Sequence, residues 1–97
     1  MVNDKKFVLH RSIDVDGEKI TEFEINFEDL SADDILSADR QYSAENPGET
    51  SFVKEISKSY LAYIAARGVK QPVEVIRKLY AKDFTRITVL AQNFLLY

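Results

Sequence analysis

The sequence predicts an α+β fold in which an N-terminal antiparallel β-hairpin is followed by about four α-helices. Three observations carry this. Thr21, Phe23, Ile25 and Phe27 alternate with Ile20, Glu22, Glu24 and Asn26, which is the period of two of a strand with one apolar face. Asp16-Gly17 stands where such a strand would turn back on a preceding one. From Ser31 onward the apolar spacing changes to that of helices. The 97 residues contain no internal repeat and fit one domain, residues 1–97, with the hairpin over 5–27 and the helical part over 31–97.

The hairpin register follows from the apolar pattern. A two-residue turn at Asp16-Gly17 sets Leu9 opposite Glu24 and Phe7 opposite Asn26, which wastes the apolar face. A three-residue loop Val15-Asp16-Gly17, with Gly17 in a left-handed bulge position, pairs Asp14 with Glu18. Phe7 then meets Ile25, Leu9 meets Phe23 and His10 faces Glu22. The expectation is therefore the bulged turn.

Ser31 reads as the N-cap of a first helix reaching about Ala44. Asp33 and Asp34 lie in its first turn, and Ile35, Leu36 and Tyr42 form its apolar side. Asn46-Pro47-Gly48 breaks it. Thr50 or Ser51 then caps a long central helix that ends near Arg67, with Gly68 as its stop. Phe52, Val53, Ile56, Tyr60, Leu61, Tyr63 and Ile64 share one half of that helix, while Lys54, Lys58, Ala62, Ala65 and Ala66 face away. Pro72 opens a short helix to about Tyr80 with Val73, Ile76, Leu79 and Tyr80 inward. Asp83 caps the last helix, whose main stripe is Phe84, Ile87, Leu90, Ala91, Phe94 and Leu95. Thr85, Arg86, Thr88, Gln92 and Asn93 occupy its other side. Among them Val89 and Leu96, one heptad apart, form a second apolar line, and Tyr97 ends the chain. A helix apolar on two sides needs cover on two sides.

Composition narrows the chemistry. The chain has no cysteine, so it forms neither disulfides nor thiolate metal sites. No apolar run approaches membrane-spanning length, and the first residues carry no apolar signal core, so neither membrane insertion nor signal-directed secretion is expected. The net charge of −3 conceals a split: residues 1–50 carry five basic and thirteen acidic side chains, residues 51–97 eight and three. The halves neutralise each other within one fold, or copies stack acidic end to basic end.

No catalytic constellation emerges. His10 opposite Glu22 is a surface pair before it is a general base with an orienting carboxylate. Asp14, Asp16 and Glu18 surround Gly17 as in a calcium loop, but the later bidentate glutamate is missing. There is no phosphate-cradling glycine loop, nucleophile elbow or His/Asp metal cluster, so no enzyme activity, cofactor or metal is expected. The competing reading is a small helix-turn-helix-like DNA-binding regulator, with Lys70, Arg77, Lys78, Lys82 and Arg86 around two short helices. An acidic chain with no exposed polar recognition helix speaks against it. Binding of protein through apolar surface remains, with Val89, Leu96, Tyr97 and Leu61 as the candidate contact residues.

Several segments carry a resemblance. The Asp-Gly hairpin is followed by the strand Ile20-Thr21-Glu22-Phe23-Glu24-Ile25 and an acidic helix bearing Ala38-Asp39-Arg40. Next come the helix with Tyr60-Leu61-Ala62-Tyr63-Ile64-Ala65-Ala66-Arg67-Gly68 and the ending Ala81-Lys82-Asp83-Phe84-Thr85-Arg86-Ile87 through Gln92-Asn93-Phe94-Leu95. In this order and spacing the chain resembles the small tail assembly chaperones of long-tailed bacteriophages and prophages. Where some members have an Arg-Glu-Pro-like stretch after the second strand, this chain has Asn26-Phe27-Glu28-Asp29-Leu30. The resemblance implies a non-enzymatic protein that coats the tape measure protein and keeps it soluble until the tail tube polymerises around it. It further implies a homo-oligomer in the bacterial host cytoplasm, absent from the mature virion. A longer form made by ribosomal frameshifting would recruit the tail tube protein. No nucleic acid or membrane is expected as a partner.

Overall fold

A computed structural model of the chain describes residues 6–47 and 57–96. Two antiparallel strands, β1 (Lys6–Val15) and β2 (Glu18–Glu24), lead through a short 3-10 turn (Phe27–Asp29) into the helices. These are α1 (Ala32–Glu45), α2 (Lys58–Val69), α3 (Val73–Arg77) and α4 (Ala81–Leu96). The α+β class and the hairpin-then-helices order are as the sequence predicts.

The turn is not. Asp16 and Gly17 form a two-residue connection in which both φ angles are positive, 53° and 86°. That mirror-image turn suits the right-handed twist of paired strands. Val15 pairs with Glu18, Asp14 with Lys19 and Ile13 with Ile20. The register then slips inside β1, so that Val8 faces Glu22, Phe7 faces Phe23 and Lys6 faces Glu24. The three-residue loop and the pairings Asp14–Glu18, Phe7–Ile25, Leu9–Phe23 and His10–Glu22 are thus corrected. The apolar pattern does require extra residues in the first strand, but they sit in a bulge over residues 9–12. Phe7, Leu9, Ile13 and Phe23 are all buried by this arrangement.

Ser31 caps α1 as expected. Its hydroxyl accepts from the Asp34 N–H at 3.2 Å, and the Asp34 carboxylate accepts from the Ser31 N–H at 2.9 Å, a reciprocal capping box. Ala38 and Tyr42 are buried and Ile35 is half-buried, whereas Leu36 points to solvent rather than inward. One residue of helix is a rotation of about 100°, which carries Leu36 off the stripe that Ile35, Ala38 and Tyr42 share.

The central helix begins later than expected. Ser57 is extended (φ −90°, ψ 120°) and its hydroxyl accepts from the Tyr60 N–H, so α2 starts at Lys58. The proposed caps Thr50 and Ser51, and with them Phe52, Val53, Lys54 and Ile56, lie outside the described residues. From Tyr60 to Val69 nearly every residue is buried, including Ala62, Ala65 and Ala66, which were expected to face away. They are covered because α1, α3, α4 and the 3-10 turn all pack on this helix. Gly68 is not the stop either. Lys70 adopts the left-handed conformation (φ 58°) that ends the helix, and Gly68 lies inside it. A Cβ at Gly68 would collide with the Phe27 ring, so glycine is required there for close approach.

Pro72 is the N-cap of α3, which ends at Arg77 instead of Tyr80. Val73, Val75, Ile76 and Leu79 are buried, while Tyr80 turns outward beneath the Arg11 guanidinium, 3.7 Å from its ring centroid. α4 starts at Ala81, so Asp83 lies in its first turn and is not its cap. Ile87 and Ala91 are fully buried. Phe94 is half-buried and stacks on Phe27 at 5.4 Å. Two positions exchange roles relative to expectation: Thr88 is buried and Leu90 is exposed. Thr88 is admitted to the core because its hydroxyl bonds the carbonyls of Phe84 and Thr85, each at 3.0 Å. No helix among the described residues is long and apolar enough to cross a membrane.

Candidate protein-interaction surface

The last helix is held in place by a buried carboxylate. Asp83 is 1% exposed, and its oxygens accept from the backbone N–H of His10 at 2.9 and 3.1 Å and of Arg11 at 3.2 Å. Those donors are free because the β1 bulge turns them away from β2. Arg86, one turn along α4, donates to Asp83 at 2.7 Å and to the Val8 carbonyl at 3.1 Å. Its guanidinium also lies 4.5 Å from the Phe7 ring centroid. Burial pushes the Asp83 carboxyl up, but the His10 and Arg11 amides and Arg86 outweigh it and hold it below its ordinary value.

A second polar cluster joins α1, α2 and α3. Tyr63 donates to Glu45 at 2.6 Å and accepts from Arg77 at 2.6 Å and from Asn46 at 3.3 Å. Burial first, and then the bond to Glu45, push the Tyr63 hydroxyl up. The Tyr63 hydrogen bond, then that of Gln41, hold Glu45 below its usual value. Arg67 meanwhile reaches Gln41 and Ser37, each at 3.0 Å.

With α4 fixed by its inner side, its outer side is left open. Val89, Leu90 and Leu96 are 42, 41 and 45% exposed. Leu90 stands between two shallow grooves. One is lined by Lys6, Phe7, Arg86 and Val89, the other by Ile25, Phe27, Asn93 and Phe94. Val89, with Leu96 two turns on, thus forms an exposed apolar ridge; Leu90 flanks it about 100° round the helix, and the recesses are rimmed by Lys6, Arg86 and Glu28.

The structure sorts the expected contact residues. Val89 and Leu96 are on the surface together, and Leu90 joins them. Leu61 is 2% exposed inside the core, so it offers nothing to a partner. Tyr97 lies outside the described residues. Leu90 was missed because the helical spacing assigns it to the inner stripe with Phe94, and only the position of the hairpin uncovers it. The 83–86 pair had a weak signal, an Asp and an Arg three apart at a helix start.

The other candidates do not assemble. His10 sits in the bulge, and Glu22 is ion-paired with Lys6 at 3.5 Å instead. Among the described residues no three histidine or acidic side chains converge as a metal site would need. Of the five basic residues considered for DNA, Arg77 and Arg86 are engaged within the fold by Tyr63 and Asp83. No protein-family model, curated protein or solved structure matches the chain.

Proposed function

We propose that the chain is a non-enzymatic protein-binding domain, a tail assembly chaperone of a long-tailed phage or prophage whose client is the tape measure protein. The observation that supports this is the ridge of Val89 and Leu96 with Leu90 beside it. Large side chains are left in water on a helix whose other side is clasped to the hairpin, which is costly for a small domain unless a partner covers them. A long apolar helical client fits such a strip, its side chains entering the grooves beside Leu90. The order and spacing of the segments that resemble tail assembly chaperones point to the tape measure protein as that client. On this reading the protein acts in the bacterial host cytoplasm, associates with copies of itself and leaves before the virion is complete. A frameshifted longer form brings in the tube protein.

The test replaces Val89 and Leu96 together with glutamate. Both positions are exposed, so the circular dichroism spectrum and melting are expected to persist. Capture of the co-expressed tape measure protein and the mass measured by light scattering are expected to fall. If a folded double variant holds the client and assembles as before, the ridge is not the client surface.

A further inference from the structure

The hairpin has two outer edges, and only one is closed. Along β1, α4 supplies Asp83 and Arg86 to the bulge. Among the described residues, β2 has no strand on its other side. Because Val15 and Glu18 flank a two-residue turn as a hydrogen-bonded pair, Lys19, Thr21 and Phe23 direct their N–H and C=O groups away from β1. Among the described residues the backbone bond nearest that edge is Asn26 N–H to the Gly68 carbonyl, 2.8 Å, just beyond the end of β2. Between β2 and the end of α2 runs a groove of about 370 Å³, lined by Glu22, Phe23, Glu24, Ile25, Gly68 and Lys70. Asn26 lines it too. Its amide nitrogen is taken by Asp29 at 2.6 Å, but its buried Oδ1 has no donor.

We infer that the β2 edge binds an extended segment of another polypeptide as an added strand, and that this segment is basic. Addition of a strand satisfies the outward groups of the exposed Lys19 and Thr21. Charge selects the occupant. β2 carries Glu18, Glu22 and Glu24 against the single Lys19, and with Glu22 already paired to Lys6, lysines or arginines of the added strand lie beside Glu18 and Glu24. The β2 of a second copy is disfavoured: antiparallel pairing centred on Thr21 sets Glu18 against Glu24 at both ends. This site is separate from the α4 ridge and stands whether or not the tape measure protein is the client there.

The probe is a capped heptapeptide alternating lysine with valine, added to the isotope-labelled full chain, with amide exchange followed by NMR. Exchange at Lys19 and Thr21, both exposed in the free chain, is expected to slow by about fivefold or more, since β-addition buries those donors. A peptide with glutamate in place of lysine is expected to give no protection. Thr21→Pro removes one outward donor without touching a bond to β1, because proline is tolerated on an open edge. It is expected to abolish binding while His10 and Arg11 stay protected by Asp83. Should that variant not fold, the pair Glu18→Lys and Glu24→Lys serves instead, with affinity expected to drop about tenfold as two favourable charge pairs become repulsive. Unchanged exchange at Lys19 and Thr21, equal protection by the glutamate peptide, or undiminished binding by the charge-reversed or folded proline variant would each overturn the inference.

Discussion

The two edges of the hairpin face the same problem and meet it differently. At β1 the bulge exposes donors that the interior would leave unpaired, and α4 brings a buried carboxylate to them. At β2 the outward groups meet no strand among the described residues, and the chain places glutamates along that edge. The first edge trades openness for a fixed joint between strand and helix. The second keeps its backbone available and relies on charge to refuse its own kind. A strand edge is therefore a structural joint or a recognition site according to whether the fold itself supplies the missing partner.

Breaking the joint should have the largest effect. Asp83→Ala leaves Arg86 without its carboxylate and two amides without an acceptor, at an expected cost of about 2–4 kcal/mol in urea unfolding. Hydrogen exchange at His10 and Arg11 should accelerate, while that of Ile64 in the core follows global stability only. Thr21→Ala on the open edge should change stability by less than about 0.5 kcal/mol, which keeps the contrast.

The β2 side is anchored elsewhere, by Phe27 over Gly68 and by Asn26 on the Gly68 carbonyl. Gly68→Ala gains about 1 kcal/mol of helix propensity, yet is expected to destabilise by about 1–3 kcal/mol in thermal melting through overpacking. Phe27 cannot retreat freely because Phe94 stacks on it. Adding Phe27→Leu should recover part of the loss, a non-additivity that a double-mutant cycle measures.

The joint should also be visible in pH. Asp83 has a native pKa below its unfolded value, so its contribution is complete above the ordinary carboxylate range. As pH falls into that range the unfolded state takes up the proton first, and the contribution is gone once pH passes below the depressed native value. Asp83→Asn should flatten the acid limb of a stability–pH profile between those two values. An unchanged limb would mean that the carboxylate is not what ties β1 to α4. The smallest expected effect is on the ridge: Val89→Glu should alter the unfolding free energy by no more than about 0.5 kcal/mol, by the same denaturation measurement.

Much of this was legible from residue order alone, because it depends on neighbours in sequence. The hairpin, the Ser31 capping box and the helical remainder arise from local periodicity and from side chains three or four apart. The outward placement of Val89 and Leu96 follows from the same periodicity. What failed was long-range. The apolar pattern asks for one extra residue and assigns it to the turn, whereas the structure closes the turn with two residues and puts the excess inside β1. It lies in the bulge, where Asp83, 73 positions away from His10, can satisfy it. Gly68 looks like a stop signal until Phe27 is seen to need its missing side chain. Leu61 lies in the core and Leu90 on the surface, against expectation in both cases, because periodicity gives a residue's angle on its helix and not what packs there. Local pattern set the elements and their faces. Packing between segments distant in sequence chose the register, closed one strand edge and left the other, with the α4 ridge, open to partners.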